Sequence, residues 1–239
     1  MADKIDIKNN LFVLVKMIRY NLKIIFGNRF VWFLVAALGF FLFFAIQMVW
    51  NNETMGEDMV YNLLIFPGIL LIFYPSVFGI QHDDDSRMLE ILFGIPNYRY
   101  KVWLVRLIMI YTLVFLIILL FSEFASILLY RVNVAEMSYQ LMFPIIFLGS
   151  MGFMFSTLIK NGNGTAVAMV LIGVALIILQ DAMRNTQWNP FLNPFDIPNN
   201  LNEVIWESTI HKNRIFLGIG MLVFVLYGLF NLQKREKFV

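Results

Sequence analysis

30-FVWFLVAALGFFLFFAIQMVW-50 carries no charged residue between Arg29 and Glu53. A helix needs about 20 apolar residues to cross the hydrocarbon of a bilayer, and this run meets that length. Its surroundings agree. The chain of 239 residues is 60% hydrophobic and only 14% charged, with a mean hydropathy of +0.74. Soluble domains of this size carry about 25% charged residues. The reading is an integral membrane protein. A net charge of +2 gives no basis for a nucleic-acid partner, and with no cysteine there is no disulfide, thiolate metal site or cysteine nucleophile. No small-residue cleavage pattern follows the first span, so it does not read as a removable signal peptide.

Charges mark out five further apolar runs, for spans of about 30–52, 59–81, 107–130, 137–159, 165–180 and 215–233. The fifth, TAVAMVLIGVALIILQ, is barely long enough and is bounded by polar NGNGT and DAMRN. Orientation follows from lysine and arginine in short loops. The arm before the first span holds Lys4, Lys8, Lys16, Arg19, Lys23 and Arg29, and the loop after it holds none. The second loop holds Arg87, Arg99, Lys101 and Arg106, and the third only Arg131. The N-terminus and second loop are therefore expected in the cytoplasm. The last loop and the tail nearly tie, so the C-terminus is expected there because six crossings return it.

Residues 1–29 form a separate basic segment. Within it, Lys16, Arg19 and Lys23 share one helical face, with Leu11, Leu14, Val15, Ile18, Leu22, Ile25 and Phe26 opposite. That periodicity suits an amphipathic helix lying in the headgroup plane. A plain positive-inside anchor for the first span explains part of the same pattern.

The second loop begins 81-QHDDDSRMLEILFGIPNYRYKVW-103. As a short helix it places Met88, Leu89, Leu92 and Phe93 on one side and Arg87 and Glu90 on the other. Asp83, Asp84 and Asp85 would lead its N-terminus, where the helix dipole favours anions. Gly94 and Pro96 would stop it. His82 and the aspartates are hard-ligand types, but consecutive residues on a helix diverge, so no metal site is expected. Glu90 also reads simply as a surface partner of Arg87.

Met88-Leu89-Glu90-Ile91-Leu92 and Pro96 resemble the second half of E-x-x-x-G-T-x-E-x-L-L-x-x-P, the first cytoplasmic loop of ABC-2-type ABC transporter permeases. Arg87-Met88 stands where that family has Gly-Thr. Gly152, Ser156, Lys160 and Ala166 resemble its G-x-x-x-S-x-x-x-[KR] followed by a polar turn and a small-residue helix. The amphipathic arm resembles its connecting helix. The resemblance spans essentially the whole chain. It implies an all-α integral membrane fold of six transmembrane helices, preceded by the in-plane helix, with a cytoplasmic coupling helix between spans 2 and 3. It further implies an exporter half that pairs with a second permease subunit, as a homodimer or heterodimer, in a bacterial inner membrane. Two copies of a cytoplasmic ATPase subunit would bind ATP and magnesium, seat Arg87, Met88, Leu89, Glu90, Leu92 and Phe93, and drive alternating access. Spans two and five would line the path. The chain itself has no G-x-x-x-x-G-K-[ST] phosphate loop, so it is expected to bind no cofactor and to be no enzyme alone.

Polar groups within spans are the other candidates, as path or packing residues: Asn62, Glu123, Ser150 and Ser156. Glu123 lies eight residues before Arg131, about 12 Å along a helix, and is expected to need a partner, within the subunit or in a substrate. Pro67 and Pro75 can kink span two. Gly149, Ser150, Gly152 and Ser156 suit close helix packing, and G-x-S-x-G is absent. Residues 181–213 read as a proline-rich outer loop with the near-repeat 189-NPFLNPFDIP-198, either a connector or a cap on an exit path. Two rivals stand beside the transporter subunit. A secondary transporter lacks support from buried charge, and a membrane enzyme lacks a catalytic cluster, since His82 and His211 fall near opposite span ends.

Overall fold

The structure is a computed structural model that describes residues 30–51, 55–85, 99–199 and 201–232, with the side chains of 82–85 and 99–101 left aside. The in-plane helix with Lys16, Arg19 and Lys23, and the loop residues Arg87, Met88, Leu89, Glu90, Leu92 and Phe93, lie outside the described residues.

Six helices are long and apolar enough to cross a membrane. They are α1 (Phe30–Trp50), α2 (Glu57–Asp85), α3 (Val105–Leu128), α4 (Val134–Ile159), α5 (Gly162–Met183) and α6 (Glu203–Asn231). A π-helical turn, Arg99–Leu104, leads into α3. Hydrocarbon offers no partner to a backbone N–H or C=O, so every span closes its own hydrogen bonds as a helix.

Long-range bonds fix which ends lie together. Gly162 N–H donates to Gln81 Oε1 at 2.6 Å, and Asn231 Nδ2 donates to the Thr157 carbonyl at 2.5 Å. The C-terminal ends of α2, α4 and α6 and the start of α5 thus share one end, called here the basal end. Asn193 Nδ2 donates to the Asp58 carbonyl at 2.9 Å, which puts the 184–202 connection over the start of α2 at the other end, the loop end.

α4 is the centre. It packs against α2, α3, α5 and α6, and 67% of its most apolar window is buried, against 6% for α5. Small residues let α2 approach it. A Cβ on Gly149 would run into Ile72, and one on Gly152 would lie 3.3 Å from Ser76 Cβ. On another side, a Cβ at Gly228 of α6 would lie 2.6 Å from the Phe153 ring. α3 is held by two polar clasps, Tyr111 Oη with Ser150 Oγ at 2.7 Å and Ser138 Oγ donating to Ser122 Oγ at 3.1 Å. In lipid, such close packing and interhelical hydrogen bonds replace the hydrophobic drive that joins helices in water.

Several boundaries depart from the reading of charges. α5 runs from Gly162 to Met183 rather than 165 to 180, because Asn161 caps it by accepting from Gly164 N–H at 3.1 Å. It is a full-length span. α6 starts at Glu203, not 215, capped by Asn202. The polar stretch from Glu203 to Lys212 has no Gly or Pro to stop a helix, so the helix simply outruns its apolar part. The connection is correspondingly shorter than 181–213. α2 is helical through Asp85, the last described residue before 86–98, so His82 and the three aspartates belong to the same helix as the span, and the helix expected from Ser86 lies outside the described residues. Pro67 and Pro75 lie inside α2, which remains one element.

Gly149→Val is expected to force α2 and α4 apart and to cost about 1–3 kcal/mol, the usual range for overpacking. A lowered melting temperature in detergent would show it. An unchanged melt would mean the seam is not the tight contact described.

Candidate functional site

The loop end holds the richest polar construction among the described residues. It begins with the near-repeat N-P-F-L-N-P-F. Asn189 Oδ1 accepts from Phe191 N–H and Asn193 Oδ1 from Phe195 N–H, each at 3.0 Å. These are twin Asx turns, the local bond by which asparagine replaces a backbone partner where proline supplies no N–H. The remaining asparagine atoms tie the connection down. Asn193 Nδ2 also donates to Asn62 Oδ1 at 3.2 Å. Asn213 Nδ2 reaches back to the carbonyls of Gln187 and Asn189 at 2.9 and 2.8 Å. Trp206 Nε1 donates to the Pro194 carbonyl at 3.2 Å, and the Tyr61 hydroxyl to that of Leu192 at 3.4 Å. Leu192 is buried in the process. The connection is therefore a fitted cap on the bundle, not a loose strap.

Beneath it lies Arg214, 8% exposed. Its Nε donates to Gln140 Oε1 and one terminal nitrogen to Asn213 Oδ1, both at 2.9 Å. Its guanidinium carbon stands 5.2 Å from the centre of the Phe143 ring. The other terminal nitrogen, Nη2, is wholly buried, and the guanidinium lies within hydrogen-bonding reach of the buried Tyr61 hydroxyl. Arg214 borders a cavity of about 600 Å³ between the start of α4, the connection and α6. Tyr139, Phe143, Phe195 and Trp206 give it aromatic walls, and Glu136, Glu203, Glu207 and His211 give it titratable groups. Glu203, Glu207, His211 and Arg214 follow at i, i+4, i+8 and i+11, one stripe of α6. That spacing was present in the sequence, where Arg214 served only as a span boundary.

A second, smaller cavity of about 270 Å³ shares Trp206 and is lined by amides and charges, among them Asn62, Asn189, Asn193, Asp181 and Arg184. A third, of about 350 Å³, is apolar and lies deeper between α1, α2, α4 and α5. It is bordered by Phe33, Ile72, Met169 and Ile177 and by Ser76, whose buried hydroxyl has no partner among the described residues.

The polar candidates from the sequence separate. Asn62 sits at the loop end, bonded to Asn193 and bordering the amide-lined cavity. Ser150 is wholly buried and clasps Tyr111. Ser156 is buried and donates to the Phe153 carbonyl of its own helix at 2.7 Å. Neither serine borders any of these three cavities. Lys160 has a left-handed backbone, φ 61°, and ends α4 with its N–H on the Ser156 carbonyl. Gly152, Ser156 and Lys160 thus have local duties in a seam, a helix end and a turn. Glu123 is exposed on α3 beside Phe124 and Ile127. Because α3 ends at Leu128, it lies only about 8 Å from the helix end. No hydrogen bond or ion pair joins it to another described residue, so the expected partner within the subunit is not found among them.

At the basal end, Trp103 of the π-helical turn is buried against Phe153, ring centres 6.4 Å apart, and Arg106 lies 4.9 Å over the indole. Among the described residues no group of three or more His, Cys, Asp and Glu is placed to hold a metal ion.

The chain matches no protein-family model, no curated protein and no solved structure. The class that the fold defines is a polytopic membrane protein with six candidate spans.

Asn193→Ala removes both anchoring bonds and one Asx turn. Each lost bond to a buried partner is worth about 1 kcal/mol, so cleavage by a protease within 184–202 is expected to accelerate about tenfold or more. Cleavage at the wild-type rate would mean the connection is not held by this side chain.

Proposed function

We propose that the chain is the permease subunit of an ABC-2-type ABC transporter, working as an exporter. In this reading two permease subunits form the membrane part, and two copies of a separate cytoplasmic ATPase subunit bind ATP and magnesium. Substrate then moves by alternating access. The observation that carries the proposal is the motif Met88-Leu89-Glu90-Ile91-Leu92 with Pro96, set between two spans of a six-span bundle.

The surroundings of that segment support the reading. It departs from the basal end of α2, which packs against α1, α3, α4 and α5. It returns through a π-helical turn whose Trp103 is wedged against Phe153 of the central helix. A push on the segment is thereby delivered to the bundle at two places, as a coupling element requires. Six crossings also return the chain to the basal side, and the lysines and arginines of the arm before α1 and of the second loop favour a cytoplasmic face there. A second subunit is supported by α5, of whose most apolar window only 6% is buried within its own chain. Its Val167, Leu171 and Ile178 are each more than half exposed, and such an apolar face suits contact with another helix as well as with lipid.

Co-purification with an ATPase from the native host tests the first claim. Leu92→Arg and Glu90→Arg are each expected to reduce ATPase recovery about tenfold or more, as for a central docking residue, while yield and melting of the chain stay unchanged. Recovery of no ATPase by the wild type would leave a permease without an ATPase partner, such as a secondary transporter. The chain has no cysteine, so Ile178→Cys introduces a single thiol on the exposed face of α5. Oxidation in membranes is expected to give a disulfide-linked dimer, and a purely monomeric product would remove α5 from the subunit contact.

A further inference from the structure

From an apolar groove that adjoins the Arg214 cavity we infer a binding site for a cationic amphiphile, a hydrocarbon chain ending in an ammonium head, taken from the loop-end leaflet of the membrane. The inference stands on the loop-end geometry and does not require the transporter reading. The groove, of about 470 Å³, runs along α4 between α3 and α6. α4 contributes Met142 and Ile146, α3 Tyr111 and Phe115, and α6 Leu217 and Gly218. The Tyr111 hydroxyl is engaged with Ser150, and that of Thr112, also on the groove, donates to the Ile108 carbonyl. The groove therefore suits hydrocarbon. Tyr139 and Phe143 border both the groove and the 600 Å³ cavity, with their rings edge to face at 5.0 Å. On α6 one stripe passes from Glu203, Glu207 and Arg214 at the cavity to Leu217, Gly218 and Met221 in the groove. Arg214 to Met221 is seven residues, about 10 Å of helix. A polar compartment thus leads directly into an apolar one.

Charge names the head. Glu136, Glu203 and Glu207 border the cavity beside a single arginine. Among the described residues no ion pair meets these carboxylates, while the Arg214 guanidinium is held by Gln140, Asn213 and the Phe143 ring. The cavity therefore presents net negative charge next to Tyr139 and Trp206. Aromatic faces attract cations, as Phe143 already does for Arg214, and a cleft lined by one sign of charge gathers the opposite sign. An anionic head would face three carboxylates. A bare cation would leave the groove unfilled. An ammonium on a hydrocarbon chain fits both compartments. The depth agrees: Arg214 immediately precedes the apolar part of α6, which begins at Ile215, so the cavity lies at headgroup level and the groove in the hydrocarbon beneath it.

The test uses the purified full chain in nanodiscs of phosphatidylcholine. The probes are decyltrimethylammonium and decyl sulfonate, each with a photoreactive diazirine at the chain end, and tetramethylammonium as a competitor. Labelling is followed against probe concentration and mapped by mass spectrometry. The ammonium probe is expected to label 111–115 and 217–221, with half-saturation at about tenfold lower concentration than the sulfonate. The double variant Glu203→Gln, Glu207→Gln is expected to abolish that preference, and both glutamates are exposed, so it is expected to fold. A Cβ at Gly218 meets nothing within 4 Å, so Gly218→Leu fits without displacing a neighbour. It fills the groove and is expected to weaken labelling there about tenfold. Equal labelling by the two probes, a preference that survives the glutamate changes, or groove labelling unaltered by Gly218→Leu overturns the inference. Competition by tetramethylammonium as strong as by unlabelled decyltrimethylammonium would give the cavity to a bare cation, and disulfide-linked dimers of Gly218→Cys would give the groove to a second copy of the chain. Either result also overturns it.

Discussion

The close approach of α2 to α4 is the contact on which the rest of the bundle depends. Lipid tails are as apolar as leucine, so burying leucine between helices gains little, and association rests on packing and interhelical hydrogen bonds. Gly149 and Gly152 give Ile72, Ser76 and Val77 room to lie against the α4 backbone. With α2 seated, α1 packs outside it, α3 closes one side through the Tyr111–Ser150 and Ser122–Ser138 pairs, and α6 closes another against Phe153. α5 is attached most lightly, at its start by Gln81 and along the apolar cavity by Met169.

The loop end solves a different problem. Proline deprives the 184–202 connection of backbone donors, and lipid or buried surroundings supply few replacements. Asparagine serves because one amide both accepts and donates. Asn193 accepts locally from Phe195 N–H and donates to α2, at the Asp58 carbonyl and Asn62. Asn213 does the converse, sending its amide N–H groups from α6 into the connection and its oxygen to Arg214. The charge of Arg214 is thus held by neutral oxygens and an aromatic face.

What was legible in the sequence follows from which forces act locally. The six spans were readable because hydrocarbon thickness imposes a run of apolar residues, and even the short-looking fifth run proved to be a full helix. The small-residue face of α4 was readable for the same reason. Helix ends were not, because a charge marks the edge of the membrane and not the edge of a helix. Glu203 to Lys212 and His82 to Asp85 remain helical in polar sequence. The asparagine anchors were hidden for another reason: Asn193 and Asn62 are 131 residues apart. Nothing local in N-P-F-L-N-P-F names the partner, although its Asx turns are a local property. Arg214 and Ser150 differ in this respect. Arg214 was read only as a boundary and is buried beside a cavity, whereas Ser150 was read as a path or packing residue and is buried in a hydrogen bond with Tyr111.

The two buried arginines tie both ends of the molecule to one helix. Arg214 rests over Phe143, and Arg106 rests over Trp103, which packs on Phe153. Phe143 and Phe153 both belong to α4 and are ten residues apart, about 15 Å along the axis. A guanidinium is weakly hydrated and stacks on aromatic faces, so each arginine settles at the margin of the apolar core. A shift of α4 along its own axis would move both aromatic seats in the same direction. One arginine would be drawn deeper and the other toward water, and the two changes in solvation oppose each other. A tilt of α4 about its middle moves the seats sideways in opposite senses and meets no such balance. The paired seats therefore resist sliding less than they resist separation from α4.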